Sequence, residues 1–551
     1  MKDTLIPRTT SAYEGQLLLK RLLFCPVVNN PEQEIVYREL YRGTYRQLHQ
    51  RIARVANVLT ALGVKPGQTV AVMDWDSHRY LELFFAVPMI GAVLHTINVR
   101  LLPEQILYTI NHASDDVLLV HRDFLPIVES LRARMESVGA YILLSDDDPV
   151  SDSPIPFAGE YEQLLAAAST EFPFADFDEN TRATTFYTTG TTGMPKGVYF
   201  SHRQLVLHTL AAVATFSSAA GHGSFRRDDV YMPMTPMFHV HSWGMPYVAT
   251  VLGVKQVYPG RYAPETLLAL KQKEGVTLSH CVPTLLHMLL RHPLSHGINL
   301  QGWKLIIGGS LMSRSLCIDA LNRGLDVYSG YGMSETCPII SLSHLTPTEL
   351  QLSVEEQTTL RRQFGRPLPL LELRVVDSEM QDVRRDGCSP GELVLRAPWA
   401  TQGYLNDSVA SERLWRGGYL HTGDVAILHP DGSGRITDRS KDVIKVAGEW
   451  LSSLELEDIL ARHPAVMEVA VIGQPDEKWG ERPLALVVVK SQEPGSASEK
   501  RLVQYVRELA DDGLVNKQAL LIKIKVVELI DKTSVGKVDK VTLRKKYLPS
   551  S

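Results

Sequence analysis

The segment YTTGTTGMPKGV, residues 187–198, has residue types suited to binding phosphate. Glycines allow close backbone approach, consecutive backbone N–H groups form anion-binding nests, and threonine hydroxyls supply further donors. The segment departs from the common G-x-x-x-x-G-K-[ST] loop, because Pro195 replaces the second glycine and Gly197 the metal-binding hydroxyl. It therefore predicts a phosphate loop of another type or, as the alternative, a hairpin without a ligand. The residues predicted to bind are Thr188, Thr189, Gly190, Thr191, Thr192, Gly193 and Lys196.

Further along the chain, five short segments carry residue types suited to nucleotide chemistry. A carboxylate suits a hard cation, an aromatic face suits a purine, and a lysine can neutralise phosphate charge. Most of these segments, taken alone, would more often be ordinary turns, so the prediction depends on their combination and order. The longest, residues 434–457, is the most diagnostic. The five segments are IIGGS (306–310), GYGMSETCP (330–338), YLHTGD (419–424), GRITDRSKDVIKVAGEWLSSLELE (434–457) and DKTSVGKVDK (531–540).

In this order the segments resemble the motifs of the adenylate-forming superfamily. That superfamily contains acyl-CoA synthetases, beetle luciferases and the adenylation domains of peptide synthetases. The resemblance runs from Tyr187 to the C-terminal lysine motif, and the N-terminal half is compatible with it. Three positions depart from the usual pattern, since Ser334 replaces Thr, Ala447 replaces Gly and Asp531 replaces Pro. None of them removes a required functional group, although Ala447 weakens the match of one loop.

The resemblance implies that ATP and Mg²⁺ bind among these segments. Tyr331 would stack on adenine and Ser334 would contact phosphate. Glu335 would ligate Mg²⁺, with Thr188 as a second ligand. The other nucleotide-binding positions that the resemblance implies are Gly308, Gly309, Ser310, Ser329, Gly330 and Gly332.

The C-terminal segments imply contacts to ribose and a catalytic lysine. Asp424 would accept hydrogen bonds from both ribose hydroxyls, and Arg439 would contact the same sugar. Lys441 matches the hinge between two domains, and Lys537 matches the catalytic lysine. The task of Lys537 requires a compact cation that reaches both an attacking carboxylate and the α-phosphate.

A second group of residues implies that CoA is the co-substrate. In the superfamily, the lysine that matches Lys445 serves mainly the thioester half-reaction. Gly448, Glu449 and Trp450 match the loop that lines the pantetheine tunnel. A fatty-acyl-AMP ligase that loads a carrier protein would share every nucleotide motif, and the intact loop favours CoA over it.

The segment MFHVHSW, residues 237–243, indicates the class of acid that is activated. It resembles MFHVNAW, which is typical of medium- and long-chain fatty acyl-CoA synthetases. In that branch the residue matching Trp243 gates the acyl tunnel, and His239 would lie near the reacting carboxylate. Residues 236–260 contain no Asp that could hold a substrate ammonium, which disfavours amino acids. The two histidines, His239 and His241, have no nearby partners of metal-site type.

Other functions stay open at this point. An aryl-CoA ligase or a ligase for a short thioether acid would carry the same nucleotide motifs. A nucleotide-binding regulator without catalysis is disfavoured, because Lys537 and Glu335 are both present.

Composition places the chain among ordinary globular proteins. It has 551 residues, 44% of them hydrophobic, and a net charge of -5, which predicts no bulk attraction to nucleic acid. Five scattered cysteines without a CxxC pair favour a reducing cytoplasm, and no apolar run predicts a signal peptide or a transmembrane span. Peripheral contact with a membrane surface stays open. Relatives with the Trp-gated pattern are often homodimers, which the resemblance extends to this chain.

The elements that must position these residues predict an α/β fold. Residues 43–120 alternate helix and strand patterns, which implies a mostly parallel sheet covered by helices. The phosphate segment is followed by a strand and then by a helix capped by Ser201, so it joins two strands as a hairpin. We predict a large N-terminal domain, residues 1–438, with a β-rich subdomain at about 360–438. A small, mobile α+β domain, residues 439–551, would follow the hinge at Lys441.

Overall fold

The computed structural model describes residues 6–146, 153–188, 194–219, 222–446, 449–490, 498–511, 517–533 and 536–548. Most of the predicted site therefore belongs to the described part of the chain. Six predicted site residues lie outside these ranges, namely Thr189, Gly190, Thr191, Thr192, Gly193 and Gly448.

The described residues form strands and helices that alternate through most of the chain. The strands are β1 (Glu34–Tyr37), β2 (Tyr41–Thr44), β3 (Thr69–Met73), β4 (Val93–Thr96), β5 (Asp115–His121), β6 (Ala140–Leu144), β7 (Phe157–Glu160), β8 (Arg182–Thr188), β9 (Lys196–Ser201), β10 (Val230–Pro233), β11 (Lys255–Tyr258), β12 (Leu278–Cys281), β13 (Lys304–Ile307), β14 (Asp326–Gly332), β15 (Ile339–Leu342), β16 (Arg366–Pro367), β17 (Glu372–Val376), β18 (Gly391–Arg396), β19 (Leu420–Leu428), β20 (Gly434–Arg439), β21 (Ile444–Val446), β22 (Glu449–Leu451), β23 (Val466–Asp476), β24 (Gly480–Val489) and β25 (Lys523–Val526). The helices are α1 (Phe24–Asn29), α2 (Tyr45–Ala61), α3 (His78–Met89), α4 (Pro103–Ala113), α5 (Leu125–Leu131), α6 (Tyr161–Ala167), α7 (His202–Ser218), α8 (Val240–Trp243), α9 (Met245–Leu252), α10 (Pro264–Glu274), α11 (Pro283–Arg291), α12 (Arg314–Asn322), α13 (Val354–Arg361), α14 (Ser408–Leu414), α15 (Ser453–Leu460), α16 (Glu499–Asp511) and α17 (Lys540–Tyr547).

Two largely parallel sheets form the N-terminal part of the fold. One has the strand order β7-β6-β5-β3-β4-β8-β9, and the other β16-β15-β14-β13-β12-β10-β11-β1-β2. Every residue of β3 (TVAVM) is buried, as expected for a parallel strand with helices on both faces. One core packs the first sheet on α2, α3, α7 and α9, and another packs the second sheet on α10, α11 and α12. The predicted α/β class is confirmed.

The phosphate segment joins two antiparallel strands, as the sequence predicts. β8 and β9 pair from Arg182 opposite Ser201 to Thr188 opposite Lys196. The chain then enters α7, where the Ser201 hydroxyl accepts the backbone N–H of Gln204. The Gln204 side-chain oxygen in turn accepts the backbone N–H of Ser201. This capping box starts the helix at Ser201. The hairpin therefore places Thr188 and Lys196 side by side at the open end of the sheet.

Two smaller sheets follow the large ones. An antiparallel sheet of order β17-β18-β19-β20 corresponds to the predicted β-rich region. The C-terminal sheet has the order β22-β21-β24-β23, with β25 added on β24. The chain leaves the first of these sheets after Arg439 and enters the second at Ile444, so Lys441 lies in the turn between them. That Lys441 is a hinge, and that the domains divide there, stay predictions.

A partly buried ion pair joins the C-terminal unit to the large unit. Arg362 donates from Nη2 to Oδ1 of Asp458 on α15, at 2.6 Å, and both side chains are only 14% exposed. Arg362 also donates from Nε to the carbonyl of Met312, at 2.7 Å, which fixes its guanidinium on the large unit. Arg362 is therefore bonded to both units, and it joins α15 to the large unit.

Candidate active site

Lys537 lies at the end of a tight turn that brings it to the large unit. Its backbone N–H donates to Oγ1 of Thr533 at 3.2 Å, and the Thr533 N–H donates to the Lys537 carbonyl at 2.7 Å. Gly536 has φ +82°, which favours glycine at that position. A Cβ built at Gly309 would stand 3.2 Å from Cε of Lys537 and 3.1 Å from Cγ1 of Val282. The predicted catalytic lysine therefore lies against the predicted glycine wall.

Asp424, Arg439 and Tyr331 form one hydrogen-bonded group. The buried carboxylate of Asp424 accepts the Tyr331 hydroxyl at 2.6 Å and pairs with Nε of the half-exposed Arg439 at 3.1 Å. Asp424 and Arg439 are direct cross-strand neighbours on β19 and β20. The Thr422 hydroxyl accepts the Asp424 N–H at 3.1 Å and helps to set the turn. Three residues predicted to contact adenosine are thus brought together, and their own bonds orient the carboxylate.

Glu335 presents one free carboxylate oxygen. It lies buried in a one-turn 3-10 helix, Ser334–Thr336, directly after β14. Its Oε1 accepts the hydroxyl of Tyr404 at 2.7 Å, whereas Oε2 has no hydrogen bond or ion pair among the described residues. A carboxylate oxygen without a protein partner, in a residue joined through Tyr404 to the phosphate hairpin, suits a hard cation such as Mg²⁺. The donor set therefore fits the predicted metal.

The phosphate hairpin reaches Glu335 through Tyr404. The ammonium of Lys196 lies 4.6 Å from the centroid of the Tyr404 ring. Burial and the Glu335 charge raise the pKa of the Tyr404 phenol, so it remains a proton donor. Sequence reasoning missed Tyr404, because its contacts with Lys196 and Glu335 join residues distant along the chain and no motif marks it.

Charges from both units determine the protonation of the central residues. Burial, and then the charge of Arg439, lower the pKa of Lys537 to about 8, against the opposing effects of Asp424 and Glu335. Burial, and then the Lys537 charge, lower the pKa of His239 to about 3. At neutral pH Lys537 is therefore a cation, and His239 is a neutral imidazole beside it.

Trp243 covers the glycine wall from the end of a left-handed turn. The residues of α8 have φ from 49° to 60°, and Gly244 continues at 70°. The left-handed conformation costs roughly 1–2 kcal/mol for each residue that carries a Cβ. A Cβ at Gly308 would stand 2.8 Å from Cη2 of the Trp243 indole. The indole therefore needs glycine beneath it. The region bounded by Trp243, the glycine wall, Lys537 and Glu335 is called the cleft below.

Buried polar groups hold this turn. Ser242 donates from Oγ to the Thr235 carbonyl at 2.7 Å, and the Thr235 hydroxyl lies 2.6 Å from Nδ1 of His280. The His280 ring lies 5.0 Å from the Trp243 ring. His241, in the same turn, is fully buried, and neither of its ring nitrogens has a partner within the described part of the chain. The polar network and the packing thus fix an otherwise unfavourable backbone.

Asp76 anchors the segment that carries His239, and sequence reasoning missed it. Its Oδ1 accepts the Met237 N–H at 2.9 Å, and its Oδ2 accepts the Tyr262 hydroxyl. Burial raises the pKa of Asp76 to about 7. Asp76 lies between β3 and α3, far from Met237 along the chain, so no motif marks it.

The remaining predicted nucleotide residues lie at the ends of β13 and β14. A Cβ at Gly308 would stand 2.8 Å from the Gly330 carbonyl, and one at Gly332 would collide with the Pro338 carbonyl. These close approaches require glycine. Positions Gly308, Gly309, Ser310, Ser329, Gly330, Gly332 and Ser334 line this edge.

The predicted CoA residues lie elsewhere. Lys445 and Trp450 face each other across β21 and β22, both are exposed, and Glu449 begins β22. Neither Lys445 nor Trp450 has a hydrogen bond or ion pair with Lys537, Asp424 or Glu335 in the described ranges. This arrangement of the two units does not bring them to the site. The functional roles of all these residues stay predictions.

The sequence also matches known protein families. Residues 26–405 match the AMP-binding enzyme family, and residues 455–537 match the C-terminal domain of AMP-binding enzymes. The chain belongs to the AMP-binding enzyme family. It is 39% identical over 522 residues to a Thermus thermophilus protein named long-chain-fatty-acid–CoA ligase, covering 94% of this chain and 93% of the relative.

Two further comparisons extend this result. This AMP-binding enzyme is 36% identical over 545 residues to a 3-methylmercaptopropionyl-CoA ligase of Ruegeria lacuscaerulensis, covering 97% of this chain and 98% of the relative. It also resembles the crystal structure of an anthranilate CoA ligase in complex with anthranoyl-AMP. The TM-score is 0.84 at 23% identity, with 96% of this chain and 97% of the other covered. At that identity the likeness establishes the fold.

Among the described residues of this AMP-binding enzyme, no helix is both long and apolar enough to cross a membrane.

The lowered pKa of Lys537 predicts an alkaline limb in the adenylation reaction. Below about pH 8 the side chain is an ammonium that can neutralise phosphate charge, and above that pH it is a neutral amine. We expect kcat/KM for ATP–pyrophosphate exchange to fall as pH rises through about 8. Bound ATP raises the pKa, so the limb in kcat should lie at higher pH.

Two variants separate this charge from other alkaline effects. Lys537→Arg should move the limb above the range of Lys, and Lys537→Ala should remove it while lowering kcat by roughly 10²–10³. A limb at the same pH in the arginine variant would show that another group titrates.

Proposed function

We propose that this AMP-binding enzyme is an AMP-forming fatty acid–CoA ligase. It would convert ATP, a medium- or long-chain fatty acid and CoA into acyl-CoA, AMP and diphosphate. The observation that carries the proposal is the meeting of Lys537 with Asp424, Arg439 and Glu335 at one cleft edge. The name of the Thermus thermophilus relative supports the class of acid and the use of CoA.

In the first step, an oxygen of the fatty carboxylate attacks the α-phosphorus of ATP. A bond forms between the carboxylate oxygen and the α-phosphorus, and the bond from the α-phosphorus to the α,β-bridging oxygen breaks. The bridging oxygen leaves with diphosphate. The Lys537 side chain lies against Gly309 of the glycine wall, and its ammonium would neutralise charge on the α-phosphate. Glu335 and Thr188 would hold Mg²⁺, which neutralises phosphate charge when bound.

The adenosine part would lie between Tyr331, Asp424 and Arg439. The Asp424 carboxylate is oriented by the Tyr331 hydroxyl and Arg439, and it can accept further bonds from ribose. Lys196 and the nest that precedes it would hold the departing diphosphate. Neutral His239, beside Lys537, would stay uncharged near the fatty carboxylate.

In the second step, the C-terminal unit would rotate about Lys441. Rotation would remove Lys537 and bring Lys445 and the segment that contains Trp450 to the cleft. The CoA thiol would then lose its proton to solvent and its sulfur would attack the acyl carbon, and AMP would leave with the electrons of the broken C–O bond. The exposure of Lys445, and of Trp450 at 53%, supports this step, because both side chains are free to meet CoA after the rotation.

A thioether acid is the second candidate substrate. The Ruegeria lacuscaerulensis relative, named 3-methylmercaptopropionyl-CoA ligase, aligns along almost the whole of both chains. Each methylene group buried by a longer acid contributes about 0.8 kcal/mol, so the depth of the apolar space that the acid enters would select chain length. An aryl acid, or transfer of the adenylate to a carrier protein, would be further alternatives.

The proposal includes location and assembly. We place the enzyme in the cytoplasm, with peripheral contact to membranes as the route by which fatty acids arrive, and we expect a homodimer. Sedimentation of the purified protein, with and without vesicles, would test the membrane contact and the homodimer.

An acid panel tests the proposed reaction. We expect CoA-dependent AMP release to have its highest kcat/KM with saturated acids of medium to long chain. Benzoate, 3-methylmercaptopropionate and amino acids serve as comparisons. A maximum at the thioether acid would establish the second candidate. Formation of acyl-adenylate without thioester would indicate a carrier protein as acceptor.

Trp243→Ala should change the preference for chain length. Short acids would lose contact with the indole, and longer acids would gain the space over Gly308. We expect the ratio of kcat/KM for a long acid to that for a short acid to rise on the order of tenfold, the value of about two methylene groups. Trp243→Phe keeps an aromatic ring and should change the ratio much less. An unchanged ratio in both variants would remove Trp243 from substrate selection.

Breaking the Arg362–Asp458 pair should affect the first step more than the second. Asp458→Asn keeps the shape of the side chain but removes the charge that holds the unit in the present arrangement. We expect ATP–pyrophosphate exchange to fall roughly fivefold, while thioester formation from supplied acyl-adenylate is maintained. Arg462→Gln is the matched control, since Arg462 also pairs with Asp458, at 3.0 Å, but lies on the C-terminal unit. Equal losses in both steps would contradict the assignment.

A further inference from the structure

Residues 401–405, here named the bridging segment, connect the phosphate hairpin to the turn of Glu335. The Thr401 N–H donates to the Glu335 carbonyl at 2.9 Å, and its hydroxyl donates to the Tyr199 carbonyl at 2.8 Å. The Leu405 N–H donates to the Gly197 carbonyl at 2.8 Å. The segment is therefore bonded to strand β9 at two points and to the Glu335 turn at a third.

Tyr404 is the side chain of this segment that reaches both functional groups. Its hydroxyl donates to Oε1 of Glu335 at 2.7 Å, and its ring lies under the Lys196 ammonium at 4.6 Å. An isolated β-bridge pairs Tyr404 with Val198 of β9, so the backbone that carries the ring is fixed as well. One residue thus sets the position of the carboxylate and of the cation.

The two contacts differ in strength in a way that suits ligand binding. The bond from a phenol to a buried carboxylate is charge-assisted, and it leaves Oε2 of Glu335 available. Lys196 has no ion pair in the part of the chain that the structure describes, and a cation–π contact is weaker than a buried ion pair. Lys196 can therefore move from the ring to a phosphate at low cost. Tyr404 contacts both groups, so it separates the Lys196 ammonium from the Glu335 carboxylate. Each charge can then meet a ligand without an ion pair between the two having to break.

We propose that Tyr404 is a positioning residue that prepares Glu335 for a divalent cation and Lys196 for phosphate, so that the metal and the nucleotide are recognised together. Its hydroxyl holds the Glu335 carboxylate that would bind the metal, and its ring holds the Lys196 ammonium that would bind phosphate. The inference rests on the proposed function only in taking metal–ATP as the ligand. It does not depend on which acid is activated or on the acceptor.

Binding without turnover tests this proposal. The probes are Mn²⁺, followed by its electron paramagnetic resonance, and α,β-methylene ATP, which cannot be cleaved at the α-phosphate, followed by calorimetry. With Tyr404→Phe, the ring remains and the hydroxyl is lost. We expect the Mn²⁺ concentration for half-saturation, in the presence of the nucleotide, to rise about tenfold, the usual effect of losing a bond to a metal ligand. Binding of the nucleotide without metal should stay within twofold of the unchanged protein.

A second variant separates the ring from the hydroxyl. Tyr404→Leu should raise the Mn²⁺ requirement equally and also weaken metal-free nucleotide binding about three- to fivefold. In a Lys196→Met background this extra loss should disappear, because the ring then has no cation to hold. Persistence of the loss in that background would overturn the role of the ring.

Tyr419→Phe is the matched control. It removes a phenol bond of the same kind, to Glu372 at the start of β17, which is not part of the predicted site. We expect it to leave Mn²⁺ binding unchanged. Equal Mn²⁺ titrations for Tyr404→Phe and Tyr419→Phe would overturn the role of the hydroxyl. If the acid panel failed while the Mn²⁺ shift appeared, the proposed substrate would be wrong and this inference would stand.

Discussion

The cleft depends on a balance of charge around the ammonium of Lys537. Burial and Arg439 lower its pKa to about 8, while Asp424 and Glu335 act in the opposite direction. The amine therefore keeps its proton at neutral pH but is poorly solvated, which leaves its charge available to a phosphate. Both carboxylates belong to the large unit, whereas Lys537 comes from the C-terminal one. The balance consequently exists only when the two units meet as they do here.

A second constraint is the conformation of the backbone beside this cation. Gly308 approaches both the Gly330 carbonyl and the Trp243 indole so closely that a Cβ there would collide with them, and the indole is carried by a left-handed turn. Residues in this conformation persist where the surroundings over-determine them, and such strain clusters at functional sites. Here Ser242, Thr235 and His280 supply the surroundings. The same polar groups make the wall of the cleft rigid without placing a charge in it.

The parts of the structure that sequence could predict share one property, which is local encoding. The α/β class, the β8–β9 hairpin and the start of α7 at Ser201 follow from periodicity and capping within short windows. The motif residues were recognisable because each motif is contiguous. Tyr404, Asp76 and the Arg362–Asp458 pair were not predictable, because their roles arise from contacts between distant segments. The left-handed turn was hidden for a different reason, since Val, His, Ser and Trp do not ordinarily adopt it.

The distribution of charges between the two units also explains why a moving C-terminal unit suits the proposed reaction. Glu335, Tyr404 and Lys196 all lie on the large unit and are connected by the bridging segment, so rotation about Lys441 would leave them in place. Rotation would remove mainly the positive charge of Lys537. Departure of diphosphate removes negative charge from the same space and leaves the carboxylates of Asp424 and Glu335 as the opposing charges near the ammonium. In the proposed reaction, loss of the anion would weaken the attraction on Lys537 and would couple the end of the first step to the start of the second.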